Sequence, residues 1–416
     1  MKKAFALILA VLLCAGMLAG CGGSDKKPSG SSRRNPFENL PDRTGQEILV
    51  GVILNEVNEN TVVIKDYLNN ELGPALKMKF DFSEVLKNED ARVSFIENEQ
   101  LKGAVGIINL DSSAAKSVIE TCQKKGLYVH NQKSGFSGEN VAADAALGNC
   151  GASTTGMETA YKAAMNEILS DGQNHNVIIY ACAATGKQAE SHFYSTVAVL
   201  KAMQEKYGLD YGKTPEAIAE SDFVGELATG KSDIKIYYVS GNIRTNIVTA
   251  LETGDYDVYA CVAGYEEEAN TIASVERAKN MNIKIIATAS IEERTATGFN
   301  TKDALGNNVL DYAVINPLTI AYAIDATAIR NAVDGHADFY KDGDSKAQLF
   351  VEPWLCSTAE QYAGLAKLDK PGAWVISGEE AKALCVEFNS SASIQDSKDL
   401  LQKVSDMEDL ISRKAN

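Results

Sequence analysis

Positive charge, histidine and tryptophan are all scarce in this 416-residue chain, and past its first twenty residues it has no long apolar run. Forty Lys and Arg stand against 56 Asp and Glu, a formal net charge of −16. A nucleic-acid partner needs a basic face to neutralise phosphates, so this balance argues against one, while saying little about a small ligand. Beyond residue 20 nothing approaches the ~18–20 consecutive apolar residues of a bilayer-spanning helix. The four histidines, His130, His175, His192 and His336, never stand at i,i+4 around a carboxylate, so no zinc site is expected. A Gly-x-Ser-x-Gly elbow is missing, because Gly151-Ala152-Ser153-Thr154-Thr155-Gly156 has the wrong spacing. Gly186-Lys187 has the look of a phosphate loop, but Ala181 and Gln188 occupy the places of its first Gly and its Ser/Thr. The run Glu266-Glu267-Glu268 reads as a solvated helix face. No cofactor and no enzymatic activity are expected; a surface hydrolase would need a nucleophile that the sequence does not offer.

The amino terminus is informative by what it contains. Met1-Lys2-Lys3 is a short cationic start, Ala4 to Met17 is almost wholly apolar, and Leu18-Ala19-Gly20-Cys21 ends the run on small residues and a cysteine. This is the form of a secretory signal. The tetrapeptide resembles the bacterial lipobox, which implies removal of residues 1–20 and lipidation of Cys21. Residues 21–46, rich in Gly and Ser at their start, read as a flexible tether. The expected location is extracytoplasmic, on a membrane through the lipid anchor. Six further cysteines, Cys122, Cys150, Cys182, Cys261, Cys356 and Cys385, lack CxxC spacing. Disulfides are permitted in an exported chain, but free buried thiols are favoured, since Cys182 and Cys261 lie in apolar strand-like runs.

From Ile48 onward, short apolar runs alternate with amphipathic stretches. Strands are expected at 48–54, 77–82, 104–109 and 127–130, with helices at 61–72, 88–100 and 112–125 between them. After a connection around Gly148 the alternation resumes. Helices fall at 154–169, 188–207, 245–252 and 266–279, and strands at 177–182, 234–239, 257–262 and 283–289. Near-continuous apolar strands with helical crossovers mean parallel sheets covered on both faces. The length left after the signal is too great for one core. The fold class is therefore α/β, with two similar doubly wound parallel-sheet lobes.

A strand at 310–315, then Asn316-Pro317-Leu318 and a helix over 319–333 ending at Asp334-Gly335, narrows the fold. With Ile107-Ile108-Asn109-Leu110-Asp111 and Gly156, this return resembles the type I periplasmic solute-binding proteins, the ribose- and galactose-binding family. The resemblance runs from about Ile48 to Gly335. It implies a hinge crossed several times, with 47–148 plus 317–350 in the first lobe and 149–316 in the second. Residues 351–416 would add a further hinge crossing near 349–351 and a terminal helix over 393–414. Trp354 and Trp374 lie in this last part, where packing over a lobe is favoured over reaching a ligand.

Two such lobes facing each other would line one cleft with their strand-end loops. The polar residues there are Asn55, Asn58, Asp111, Asn131 and Gln132 in the first lobe. In the second they are Thr185, Lys187, Gln188, Asn242, Arg244, Tyr265, Glu266, Ser290 and Glu292, with Asn316 at the returning hinge. The resemblance implies that Asp111 takes the place of an acidic residue binding sugar hydroxyls and Asn316 that of a family Gln. Asp111 before Ser112-Ser113 also reads as a helix cap. The family's Asn-Asp pair and Gly-Phe-Asp turn are replaced here by Ala263-Gly264-Tyr265 and Ala289-Ser290-Ile291, which weakens a simple hexose or pentose assignment. Phe136, Phe193, Tyr194 and Tyr265 are candidates for stacking on a ring, and Asp111 with Arg244 would suit a zwitterion. The expected function is that of a monomeric solute-binding protein presenting a small polar, weakly sugar-like ligand to an ABC permease. A ligand sensor of the same fold, signalling to a membrane partner, is the alternative.

Overall fold

The computed structural model describes residues 35–37, 40–132, 143–181, 190–241, 244–262, 268–303 and 305–414, with the backbone alone at residues 190, 244 and 268–270. The chain divides into two units, Met1–Glu38 and Asn39–Asn416. In the first, the Phe37 amide donates to Asn35 Oδ1 at 3.1 Å. Among the described residues, the second carries all the strands.

Its strands are β1 Ile48–Ile53, β2 Met78–Phe82, β3 Gly106–Asn109, β4 Tyr128–Gln132, β5 Ala146–Ala152, β6 Val177–Tyr180 and β7 Val224–Glu226. They continue as β8 Ile236–Val239, β9 Val258–Cys261, β10 Lys284–Ala289, β11 Tyr312–Ile315, β12 Lys341–Asp342, β13 Ser345–Val351 and β14 Trp354–Cys356. Among the described residues they form two seven-stranded sheets, in the orders β12-β13-β5-β4-β3-β1-β2 and β14-β11-β10-β9-β6-β8-β7. Central strands such as β3, β6 and β9 are buried along their whole length, which their unbroken apolar character requires. Only β12, β14 and β7, at sheet edges, pair antiparallel. With the antiparallel edge strand β7 left out of the count, the first five strands of each half run 2-1-3-4-5, a doubly wound arrangement occurring twice.

The chain passes between the two sheets three times, after β5, after β11 and between β13 and β14. The first and third passages are joined, because the Ser153 amide donates to the Val351 carbonyl at 2.8 Å. Ser153 Oγ also caps the helix Thr154–Ile168 by accepting from the Gly156 amide at 2.9 Å. A Cβ on Gly156 would overlap the Glu352 carboxylate and lie 2.7 Å from Pro353 Cδ, so this glycine gives the third passage its room. The second passage opens the helix Ile320–Asn331, all twelve residues of which are buried. It packs against β3, β4 and β5 on one side and the short helix Gly378–Ala383 on the other. Near its end Arg330 is fully buried, bonded to Asp334 and to the Gln46 and Arg43 carbonyls at 2.8 and 3.2 Å.

Several expectations change. The connection expected around Gly148 is the strand β5, held in the first sheet between β4 and β13. The helix expected over 61–72 is an α-helix only over Glu59–Asp66 and widens into a π-helical turn over Tyr67–Leu72. The terminal helix is two, Ile394–Ser405 and Met407–Lys414, because Asp406 leaves helical geometry and caps the second by accepting from the Asp409 amide. Trp354 and Trp374 are both buried; the Trp354 indole donates to the Val404 carbonyl, and Trp374 packs on Tyr67 at 4.9 Å. Cys122, Cys150, Cys356 and Cys385 are free, all four and Cys261 are buried, and burial pushes the Cys356 thiol up to about 12. Cys182 lies outside the described residues.

Candidate functional site

Open parallel sheets leave a crevice beyond the carboxyl ends of their strands, where the strand order reverses. Those points are between β1 and β3 in the first lobe and between β6 and β9 in the second. Between the helix that follows β1 and the ends of β10 and β11, a cavity of about 210 Å³ is walled by both lobes. Asn60 and Val63 come from the helix Glu59–Asp66 that follows β1, and Ser290 and Ile291 follow β10. Asn316 and Leu318 belong to the second passage. The remaining wall, Ala366 with Leu368, Asp369 and Lys370, comes from the C-terminal segment. Drug-sized sites run to about 300–1,000 Å³, so this volume suits a smaller solute.

Two acceptors in that wall stand out. Asn316 Oδ1 is buried with no hydrogen-bond partner, and so is Asp369 Oδ2. Asp369 is 8% exposed, and its Oδ1 accepts from the hydroxyl of Thr319, the residue that opens the helix Ile320–Asn331. Burial pushes the Asp369 carboxyl up, against the Thr319 hydroxyl and the backbone N–H groups of Thr319, Val375 and Leu318. A helix amino terminus favours the charged carboxylate in the same sense.

Of the residues expected at the cleft, the structure brings Ser290 and Asn316 to this cavity. Asn55 is exposed on the loop after β1. Asn58 is committed to a capping box, its Oδ1 accepting from the Thr61 amide at 3.2 Å and its own amide donating to Thr61 Oγ1 at 3.0 Å. Asp111 is committed as well. One oxygen accepts from Arg92 Nε and Nη2 at 3.0 and 2.6 Å, and the other from the Ser113 amide and hydroxyl at 3.1 and 2.5 Å. The capping reading of Asp111 therefore describes it, with Arg92 as a partner that the sequence did not signal. Asn131 is fully buried, its Oδ1 accepting from Asn109 Nδ2 at 2.9 Å. Glu292 meets Tyr362 through its backbone, and Phe193 packs edge-on against Tyr194 at 5.2 Å. Thr185, Lys187, Gln188, Asn242, Tyr265, Glu266, Phe136 and Cys21 lie outside the described residues, and Arg244 is described only as the backbone opening the helix Arg244–Thr253.

Gln132 faces inward to the helix of the second passage. Its Nε2 donates to Asp325 Oδ2 at 3.1 Å, while Asp325 Oδ1 meets His130 Nδ1 at 2.5 Å. Burial pushes the Asp325 carboxyl up, and His130 and Gln132 oppose the shift. The end of β4 is thus tied to Ile320–Asn331 by a buried polar cluster under the first lobe's share of the crevice. Asn60 and residues 366–370 carried no pattern of their own; Asn60 sits two residues past the Asn58 cap, and Asp369 reaches the cavity only through tertiary packing.

No family sequence model matches the chain, and no curated protein matches it by sequence. Solved structures do resemble it. An ABC transporter solute-binding protein from Bacillus halodurans C-125 with bound myo-inositol has a TM-score of 0.51 at 14% identity, over 77% of this chain and 98% of that one. A carbohydrate transporter solute-binding protein from Agrobacterium radiobacter in complex with D-arabinose gives 0.52 at 14% identity, over 77% and 98%. A periplasmic solute-binding protein from Actinobacillus succinogenes 130z with bound D-allose gives 0.51 at 13%, over 76% and 99%. Such low identity speaks to the fold alone: this chain has the two-lobed α/β fold of the type I periplasmic solute-binding proteins.

Proposed function

We propose that this chain is a lipid-anchored, extracytoplasmic solute-binding protein that closes over a small polyhydroxylated solute and presents it to the permease of an ABC importer. The observation that carries the reading is the cavity walled by the helix after β1 in the first lobe and by residues following β10 and β11 in the second. A ligand touching both lobes shifts the population toward the closed form by its differential affinity, and no covalent chemistry is required. The bound myo-inositol, D-arabinose and D-allose of the similar structures favour a polyol or sugar. Cys21 supplies the anchor in this reading.

The test is thermal unfolding of a chain beginning after Cys21, screened against those three compounds, further polyols, amino acids and nucleosides. A ligand at 100 times its Kd adds about 2.7 kcal/mol to native stability, a rise of several degrees. A rise confined to one chemical class is expected; a folded chain unmoved by every class would overturn the reading. For the anchor, fatty-acid labelling of the full chain should disappear in Cys21→Ser.

A further inference from the structure

We propose that Asp369, supplied by the C-terminal segment, is a ligand-contacting residue, and that with Asn316 it selects a solute presenting hydroxyl or ammonium donors at the hinge side of the cavity. The proposal rests on the solute-binding reading above and adds to it the residue and the chemistry that set specificity. Both residues line the cavity, and each has one buried acceptor, Asp369 Oδ2 and Asn316 Oδ1, without a donor. An unmade buried acceptor is costly, the more so when it is charged, and a donor arriving with the ligand relieves that cost.

The carboxylate is also held ready. Its other oxygen accepts from the Thr319 hydroxyl, which fixes the plane of the group before any ligand arrives. The neighbouring cation does not neutralise it, because Lys370 Nζ donates to the Ala366 carbonyl at 2.9 Å. Asp369 has φ of +54°, a left-handed conformation that Asp and Asn tolerate better than other side chains. Asp369→Asn is therefore a substitution that keeps the local backbone while removing the charge.

The experiment is calorimetric titration of the full chain with myo-inositol, D-arabinose, D-allose and the pair D-glucose and D-glucosamine. In Asp369→Asn the best-binding probe should lose tenfold or more in affinity, and any preference for the amine over its neutral partner should vanish. Lys414→Met is the control, since it removes the bonds to the Trp374 and Val375 carbonyls that hold the same segment, without touching Asp369 or the cavity lining; its affinity should stay within threefold of the parent. Unchanged affinity in Asp369→Asn overturns the proposal alone. An equal loss in Lys414→Met also overturns it, by showing that affinity follows the placement of the segment and not the Asp369 carboxylate. Binding of no probe overturns it, while the solute-binding reading is decided by the wider thermal screen above.

Discussion

Glu276 is the clearest case of a single side chain whose environment sets a measurable property. It is 1% exposed; its Oε1 accepts from the Ile283 amide at 2.9 Å, and its Oε2 has no partner. Burial pushes its carboxyl up to about 7, against the Ile283 N–H, with Asp303 and Asp311 adding repulsion. Asp311, bonded to the Ile285 amide at 2.8 Å, is pushed up to about 6 in the same way. Because the folded pKa lies above the unfolded one, the folded chain holds the proton more tightly. The stability this contributes is full below about pH 4.5 and is lost as pH rises through about 7. Glu276→Gln should leave stability at pH 5 nearly unchanged and raise it at pH 8 by about 1–3 kcal/mol. Urea unfolding at the two pH values checks this, and an equal effect at both would show that Glu276 keeps its charge when folded. Asp111 shows the opposite limit of sequence reading. Its place after β3 was legible, but its partner Arg92 is 19 residues away on another element, and only packing brings the two together.

Elements were most legible where burial leaves little choice. β1, β3, β6 and β9 are apolar runs buried on both faces, and they fall where the sequence placed them. β5 was not legible, because Gly148-Asn149-Cys150-Gly151 has the composition of a turn. It is a strand because β4 and β13 flank it, and Gly148 is required there: at φ +130° its Cβ would lie 2.5 Å from the Ala347 carbonyl oxygen. Gly156 was legible as part of a familiar arrangement, but the reason for it lies in Glu352 and Pro353, nearly two hundred residues on. In an open helical site Gly→Ala gains up to about 1 kcal/mol from helix propensity. At Gly156 the crowding should reverse the sign, and Gly156→Ala should cost about 1–3 kcal/mol through overpacking. Equilibrium unfolding in urea gives the sign directly; a stabilised variant would mean that the third passage shifts aside without cost.

At the scale of the whole molecule, the C-terminal segment ties one lobe to the other across the hinge. In the second lobe the Tyr362 hydroxyl donates to the Glu292 carbonyl at 2.6 Å and accepts from its amide at 2.9 Å, while the ring stacks on Phe299 at 5.5 Å. Past the cavity wall at 366–370 the segment reaches the first lobe. There the Tyr67 hydroxyl donates to the Ile376 carbonyl at 2.7 Å, and the Gly378 amide to Glu71 Oε1 at 2.5 Å. Lys414, from the last helix, secures this anchor from outside by donating to the Trp374 and Val375 carbonyls at 3.2 and 2.7 Å. The three passages form a hinge, and lobes on a hinge open as rigid bodies. Here the opening must also stretch the strap between Tyr362 and Ile376 or peel one of its ends away. On the solute-binding reading, the strap is expected to limit how far the cleft opens when empty. Tyr362→Phe keeps the ring on Phe299 and removes both hydroxyl bonds, at a cost of about 1–3 kcal/mol. Small-angle scattering of the ligand-free variant should then give a larger radius of gyration than the parent, and saturation with ligand should bring the two values together. A lowered midpoint with an unchanged radius would mean that the strap stabilises the fold without limiting its opening.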